Sequence, residues 1–182
     1  YNRSDVYFYL RDADSALTDL DKAIILAPDF ADSYTARAQV YYDLLGMPEK
    51  ALADLDKAIQ LDPSEGHNYN ARGTIYRKKG LIDLALDDLN NAIVLDPSQS
   101  IFYGNRGALY CHIDKCDLGL TDLNKALVLD PKDGWAYSQR GVIHQTLENF
   151  DLAVSDYNIA LELIESQPLM DVWDPSTVLG NR

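Results

Sequence analysis

The sequence predicts an all-α fold, an array of stacked antiparallel helix pairs, and three observations carry that expectation. Pro28, Pro63, Pro97 and Pro131 lie 35, 34 and 34 residues apart. Six residues after each proline stands a tyrosine (Tyr34, Tyr69, Tyr103, Tyr137), and three further on an arginine (Arg37, Arg72, Arg106, Arg140), followed at once by Ala38, Gly73, Gly107 or Gly141. Upstream of each proline a second set of small and apolar residues recurs in the same register. A period of this size belongs to a supersecondary unit that buries its apolar face only by stacking on neighbours, so function is sought on a surface and not in a cleft.

Within each unit the first helix is marked by the stripe that runs from the first tyrosine through the arginine and the small residue to Tyr41, Tyr76, Tyr110 or His144, at offsets of three, four and seven. The second helix carries Ala16, Ala51, Ala85 or Gly119, then Leu20, Leu55, Leu89 or Leu123, then Ala23, Ala58, Ala92 or Ala126, at separations of four and three. Small residues in such a stripe let two helices approach closely. Asp62-Pro63, Asp96-Pro97 and Asp130-Pro131 end the second helix, because proline lacks a backbone donor and pushes the residue before it out of helical geometry. The last copy continues through Ala153, Tyr157 and Ala160, but the proline expected near Glu165 is missing. The boundaries that follow are an array over 1–165, divided into a partial unit 1–30 and units 31–65, 66–99, 100–133 and 134–165, with a non-repeat tail or cap over 166–182.

These strings, Tyr-x-x-Arg-Gly-x-x-Tyr and then Ala-x-x-Asp-Leu-x-x-Ala-Ile-x-Leu-Asp-Pro, resemble the tetratricopeptide repeat (TPR) family over the whole of that array. The resemblance implies a right-handed superhelical solenoid of about four full repeats plus a partial N-terminal one. Two positions depart from it. Leu44-Leu45-Gly46-Met47-Pro48 carries one extra residue, expected in the turn between the helices, and Gly119 replaces an alanine, which should loosen its helix by about 0.5 to 1 kcal/mol.

Of 182 residues, 47% are hydrophobic and 25% charged, ordinary for a folded chain. Sixteen lysines and arginines stand against 29 acidic residues, a net charge of −13, and this argues against nucleic acid, whose affinity is built from clustered cations. Arg77-Lys78-Lys79 is the one basic run, read either as a helix end that complements the helix dipole or as an anchor for a ligand. No apolar run approaches the roughly 18 residues that would cross a bilayer, so direct membrane insertion is not expected. The chain opens at Tyr1 without methionine or a signal peptide, and is expected to be a fragment or a processed form. A cytoplasmic location is the expectation, with a processed secreted or periplasmic form as the alternative.

The four periodic arginines have natural counterparts in Asp19, Asp54, Asp88, Asp122 and Asp156, which hold one equivalent place on each second helix. A ladder of arginine–aspartate pairs, within a unit or with the preceding one, is expected to fix the stacking register. Independent solvated charges are the alternative. No phosphate-cradling glycine loop and no His-Glu-x-x-His is present, and no spacing brings a nucleophile and base together, so no enzyme activity and no cofactor are expected. His144 stands where its sister units have tyrosine and reads as a packed helix residue. Cys111 and Cys116 with His112 between them lack the paired spacing of a zinc site. They are expected as structural thiols, Cys116 as a small buried hydrophobe, with a disulfide or redox role the lesser alternative. Free thiols would fit a reducing compartment.

The resemblance implies that first helices line a concave groove holding a peptide or partner segment. Carried over by position, the groove would use Asp32, Thr35, Gln39, Tyr42 and Asp43, then His67, Asn70, Thr74, Arg77 and Lys78. The next two units add Ile101, Gly104, Ala108, Cys111 and His112, and Trp135, Ser138, Val142, Gln145 and Thr146. The face grades from polar, through Arg77 and Lys78, to an apolar end at Ile101, Trp135 and Val142, which suits a segment with an apolar anchor and a carboxylate. For Trp135, packing within the chain at the helix start is an equal alternative. Heat-shock co-chaperones of this family grip a C-terminal carboxylate with a five-residue clamp. Here Asn105 matches its middle asparagine, but Asn70, Thr74, Trp135 and Gln139 occupy the other places, so such tails are not expected to bind. The expected function is a non-enzymatic scaffold or adaptor for a protein or peptide. Two alternatives are a structural or homo-oligomerising module that uses Leu169, Met170 and Trp173 of the tail, and the regulatory array of a larger enzyme.

Overall fold

The computed structural model describes residues 12–166 and contains, among them, nine α-helices and no strand. They are α1 (Ala13–Leu26), α2 (Ala31–Gln39), α3 (Pro48–Leu61), α4 (Gly66–Lys78), α5 (Ile82–Leu95), α6 (Ser100–His112), α7 (Cys116–Leu129), α8 (Gly134–Thr146) and α9 (Phe150–Ser166). Helices α2/α3, α4/α5, α6/α7 and α8/α9 are the antiparallel pairs of the four full units, and α1 is the second helix of the partial one. The expected tail lies outside the described residues apart from Ser166, and so do Leu169, Met170 and Trp173.

Each element ends where its sequence directs. Helices α3, α5 and α7 stop one residue before an Asp-Pro pair, and Asp62, Asp96 and Asp130 take extended backbone as C-caps. Their carboxylates then accept the backbone N–H two residues on, from Ser64 at 2.9 Å, Ser98 at 3.0 Å and Lys132 at 3.0 Å. These side chains start the turn while the proline stops the helix. Helix α9, which lacks the proline, is 17 residues long against 14 for α7. The six-residue spacing from proline to tyrosine also has a cause: Tyr34, Tyr69 and Tyr103 donate their hydroxyls to the carbonyls of Pro28, Pro63 and Pro97, tying first helices to the turns before them.

The two stripes meet in a continuous core. Ala51, Ala58, Ala85, Leu89, Ala92, Leu123 and Ala126 are fully buried. Val40, Ile75, Leu109 and Ile143, each six residues after the first tyrosine, close the core from the other side. Close approach is most severe between α6 and α7. A Cβ on Gly119 would lie 2.7 Å from the Gly107 carbonyl oxygen and 2.8 Å from Ile143 Cδ1, and one on Gly107 would lie 2.9 Å from the Gly119 carbonyl. Gly119 is thus not a weak point in a helix, as its propensity implied; the two helices lie too close there for alanine.

The arginine–aspartate ladder is present, and the alternative of independent charges is excluded. Arg37, Arg72, Arg106 and Arg140 fork onto Asp54, Asp88, Asp122 and Asp156 of their own units through Nε and Nη2, all at 2.7–2.8 Å. Their Nη1 groups reach the preceding unit and donate to Asp21, Asp56, Asn90 and Asn124 at 2.7–2.8 Å. The stripe tyrosines flank each guanidinium, for example Tyr103 and Tyr110 with ring centroids 5.9 and 5.7 Å from Arg106 Cζ. Hydrogen bonding to the aspartate holds each arginine's pKa above its ordinary value. In the last unit His144 takes the second tyrosine's place, half-buried, with Nε2 3.9 Å from Asp156.

Two further expectations are corrected. The extra residue of the first full unit is not housed in the inter-helix turn. It is absorbed just before it, where α2 continues into a π-helical turn over Val40–Leu44. A one-residue insertion widens one turn of helix, which keeps both the stripe before it and the helix after it in register. The cysteines are not free thiols: Cys111 and Cys116 form a disulfide that joins the end of α6 to the start of α7, across a turn in which Asp114 adopts φ 59°. Disulfides persist in oxidising surroundings, so the cysteines no longer support a reducing compartment.

Candidate functional site

Successive first helices touch each other directly, α4 with α6 and α6 with α8. In a curved stack the layer whose members touch is the inner one, so these helices line the concave side. Asn70, Thr74, Arg77 and Lys78 share one face of α4, Ile101, Asn105 and Ala108 one face of α6, and Trp135, Ser138 and Val142 one face of α8.

The structure brings some of these residues together. Asn105 Nδ2 donates to Asn70 Oδ1 at 2.9 Å, a polar bridge between α4 and α6. Thr35 makes a similar one to Asn68 at 2.7 Å, between α2 and α4. Lys78 Nζ lies 5.0 Å from the centroid of the Tyr42 ring, over an open cleft of about 430 Å³ lined by Tyr42, Asp43, Gly46, Pro48, Ile75, Lys78 and Lys79. Trp135 lies across Gly104: a Cβ there would fall 2.7 Å from Trp135 Cζ3. The indole is packed against its own chain and still 38% exposed, so both readings of Trp135 hold in part. Ile101 and Val142 are likewise exposed, at 37% and 46%.

Other groove residues are already committed or withdrawn. Thr74 Oγ1 donates to the Asn70 carbonyl within its own helix. His67 stands edge-on to Phe102, with Nδ1 2.9 Å from Glu65. Cys111 is held in the disulfide. Ala108 and Ser138 are half-buried, each three residues after a groove residue of its own helix, Asn105 and Trp135.

The basic run separates into three roles. Lys79 pairs with Glu49, and hydrogen bonding from the ammonium holds that carboxyl below its usual range. Lys78 rests on Tyr42. Of the three, Arg77 alone has no hydrogen bond, ion pair or ring contact among the described residues; its Nε is buried without a partner. The Tyr42 hydroxyl is buried without one as well.

A set of residues that the sequence did not single out sits immediately before each first tyrosine: Ser33, Asn68, Phe102 and Ala136. They differ in chemistry, yet all four are buried, at 6%, 1%, 0% and 0% exposure. The period alone could have found this column, but its four residues share no chemistry that marks a packed position. The column instead packs one unit against the next, as Phe102 does against Gly66 and His67.

Family models described as "Tetratricopeptide repeat" match residues 1–66 and residues 66–99, together more than half of the chain. The chain belongs to the tetratricopeptide repeat family. No curated protein sequence matches this TPR protein. Among solved structures it is similar to MamA, at 24% identity and TM-score 0.72, over 91% of this chain and 96% of the other. It is also similar to TTC0263, a thermophilic TPR protein of Thermus thermophilus, at 22% identity and TM-score 0.78 over 90% and 89%. A third is YrrB, described as a TPR protein with an unusual peptide-binding site, at 22% identity and TM-score 0.64 over 90% and 84%. At these identities the likeness is one of fold.

Proposed function

We propose that this TPR protein is a non-enzymatic interaction module that holds an extended partner segment along the inner face of its first helices. The observation that supports this most directly is the Asn70–Asn105 bridge. It uses the Asn105 Nδ2 donor and the Asn70 Oδ1 acceptor, and leaves the Asn70 Nδ2 and Asn105 Oδ1 groups without a hydrogen bond among the described residues. One free donor and one free acceptor, fixed side by side by a bond between two rigid helices, match the alternating N–H and C=O of a peptide main chain. The exposed Ile101, Trp135 and Val142 beside them provide apolar anchoring of the kind that dominates binding energy. The peptide-binding site named for YrrB agrees with this use of the fold. Among the described residues no group of three or more metal-ligating side chains occurs, and no helix is long and apolar enough to cross a membrane.

The test is a pull-down with the wild type and with the triple variant Asn70→Ala, Arg77→Glu, Trp135→Ala, the captured proteins being identified in each. A partner held by the wild type and lost by the variant is the expected result. Identical capture by both would move the binding surface to the convex side and overturn the groove.

A further inference from the structure

Every periodic arginine of the four full units is engaged by carboxylates or amide oxygens, and Arg77 is not. Arg37, Arg72, Arg106 and Arg140 each fork onto an aspartate and reach a further oxygen on the preceding unit. The sequence offers 29 acidic residues against 16 basic ones, so an arginine without a carboxylate stands out. Arg77 is held by packing and not by pairing: its Nε is buried with no acceptor, and its guanidinium makes no hydrogen bond or ion pair among the described residues. The neighbouring Lys78 has its Nζ over the face of Tyr42 and no carboxylate within ion-pair distance. Lys78 lines the Tyr42 cleft with Asp43, which makes no ion pair among the described residues, and with Lys79, which Glu49 engages. This spot differs in position from the helix faces that carry Asn70 and Asn105, since Arg77 lies seven residues beyond Asn70 on α4, about 10 Å along the axis.

We infer that Arg77, with Lys78, is a carboxylate-binding site that takes an acidic group of the partner segment. The inference rests on the groove reading above and deepens it. A guanidinium that packing has positioned and no carboxylate engages carries, on its two Nη groups, the parallel donors that a carboxylate accepts end-on. Lys78 adds a second positive charge from the next residue, and the Tyr42 ring holds its ammonium in place. A main chain bound at Asn70–Asn105 would deliver that acid about three residues further along, given about 3.3 Å per extended residue.

The probes are three leucine-containing hexapeptides that differ only in one residue or terminus: a blocked peptide with an internal glutamate, the same peptide with glutamine, and the glutamine peptide with a free C-terminal carboxylate. Binding is followed through the arginine side-chain Nε–Hε signals of isotope-labelled protein. The glutamate peptide is expected to shift the Arg77 signal, to bind about ten-fold more tightly than its glutamine counterpart, and to weaken as salt rises from about 50 to 200 mM. Arg77→Gln should abolish that preference, and Arg77→Lys should keep only part of it. A free-terminus peptide that binds as well as the glutamate one would assign the site to C-terminal carboxylates; a weaker one assigns it to acidic side chains. Equal binding of the glutamate and glutamine peptides, or a preference that survives Arg77→Gln, sinks the inference while leaving the groove reading intact. No binding of the glutamate peptide up to about 5 mM, where affinity would be negligible, also overturns it.

Discussion

At the scale of single residues, arginines of the same type have opposite uses, and what separates them is whether an aspartate already holds them. Arg106 binds Asp122, which is 5% exposed, through two hydrogen bonds and is flanked by two tyrosines. Removing it strands a buried carboxylate. Arg106→Met should therefore lower unfolding free energy in urea by about 3 kcal/mol, at the low end for a broken buried pair because the guanidinium edge reaches solvent. Arg77→Met, which strands nothing, should stay within about 0.5 kcal/mol of wild type in the same titration. A stability for Arg106→Met equal to wild type would remove the ladder from the forces that hold the stack. The recurrence of the periodic arginines was legible in the sequence, and it correctly marked them as structural. That Arg77 has no partner was not, because pairing depends on which acidic residues the neighbouring helices present.

At the scale of elements, helix ends were legible and helix spacing was not. Asp-Pro stops α3, α5 and α7 at the expected residue because the ring forbids helical geometry just before it, and α9 runs on where the proline is lost. The extra residue of the first full unit was visible as a count, but only the fold placed it in the π-helical turn. Gly119 shows the same division. Helix propensity makes alanine better by about 0.5 to 1 kcal/mol, yet a Cβ would meet the Gly107 carbonyl at 2.7 Å, and backbone cannot move aside as a side-chain tip can. Gly119→Ala is expected to lower stability by about 1 to 3 kcal/mol, as overpacking does, whereas propensity alone calls for an increase. Thermal melts of the purified variant decide the sign.

At the scale of the whole molecule, the main contacts among the described residues run within each helix pair and between neighbouring units, where the Nη1 bridges of the ladder also cross. Stability in such an array is a sum of units and their interfaces. The positions of α7 buried as Cys116 and Leu127 recur in α9 as Phe150 and Leu161, which are 61% and 56% exposed. Native-state hydrogen exchange should accordingly be slower in α7 than in α9. Uniform protection along the array would mean that the units unfold as one block. The groove is a property of this scale too: Asn70 and Asn105 lie 35 residues apart and meet only because two units stack.

The all-α repeat, its register, the ends of its helices and the family were all set by the chain's own residues, since each follows from local chemistry repeated at a fixed period. Stacking was needed to establish how close α6 and α7 lie, that Cys111 and Cys116 are joined, that the column of Ser33, Asn68, Phe102 and Ala136 is buried, and that Arg77 is free. Those outcomes depend on which side chains from different units come within a few ångströms of one another. A period fixes where each unit begins, but not the distances between the groups that stacking brings together.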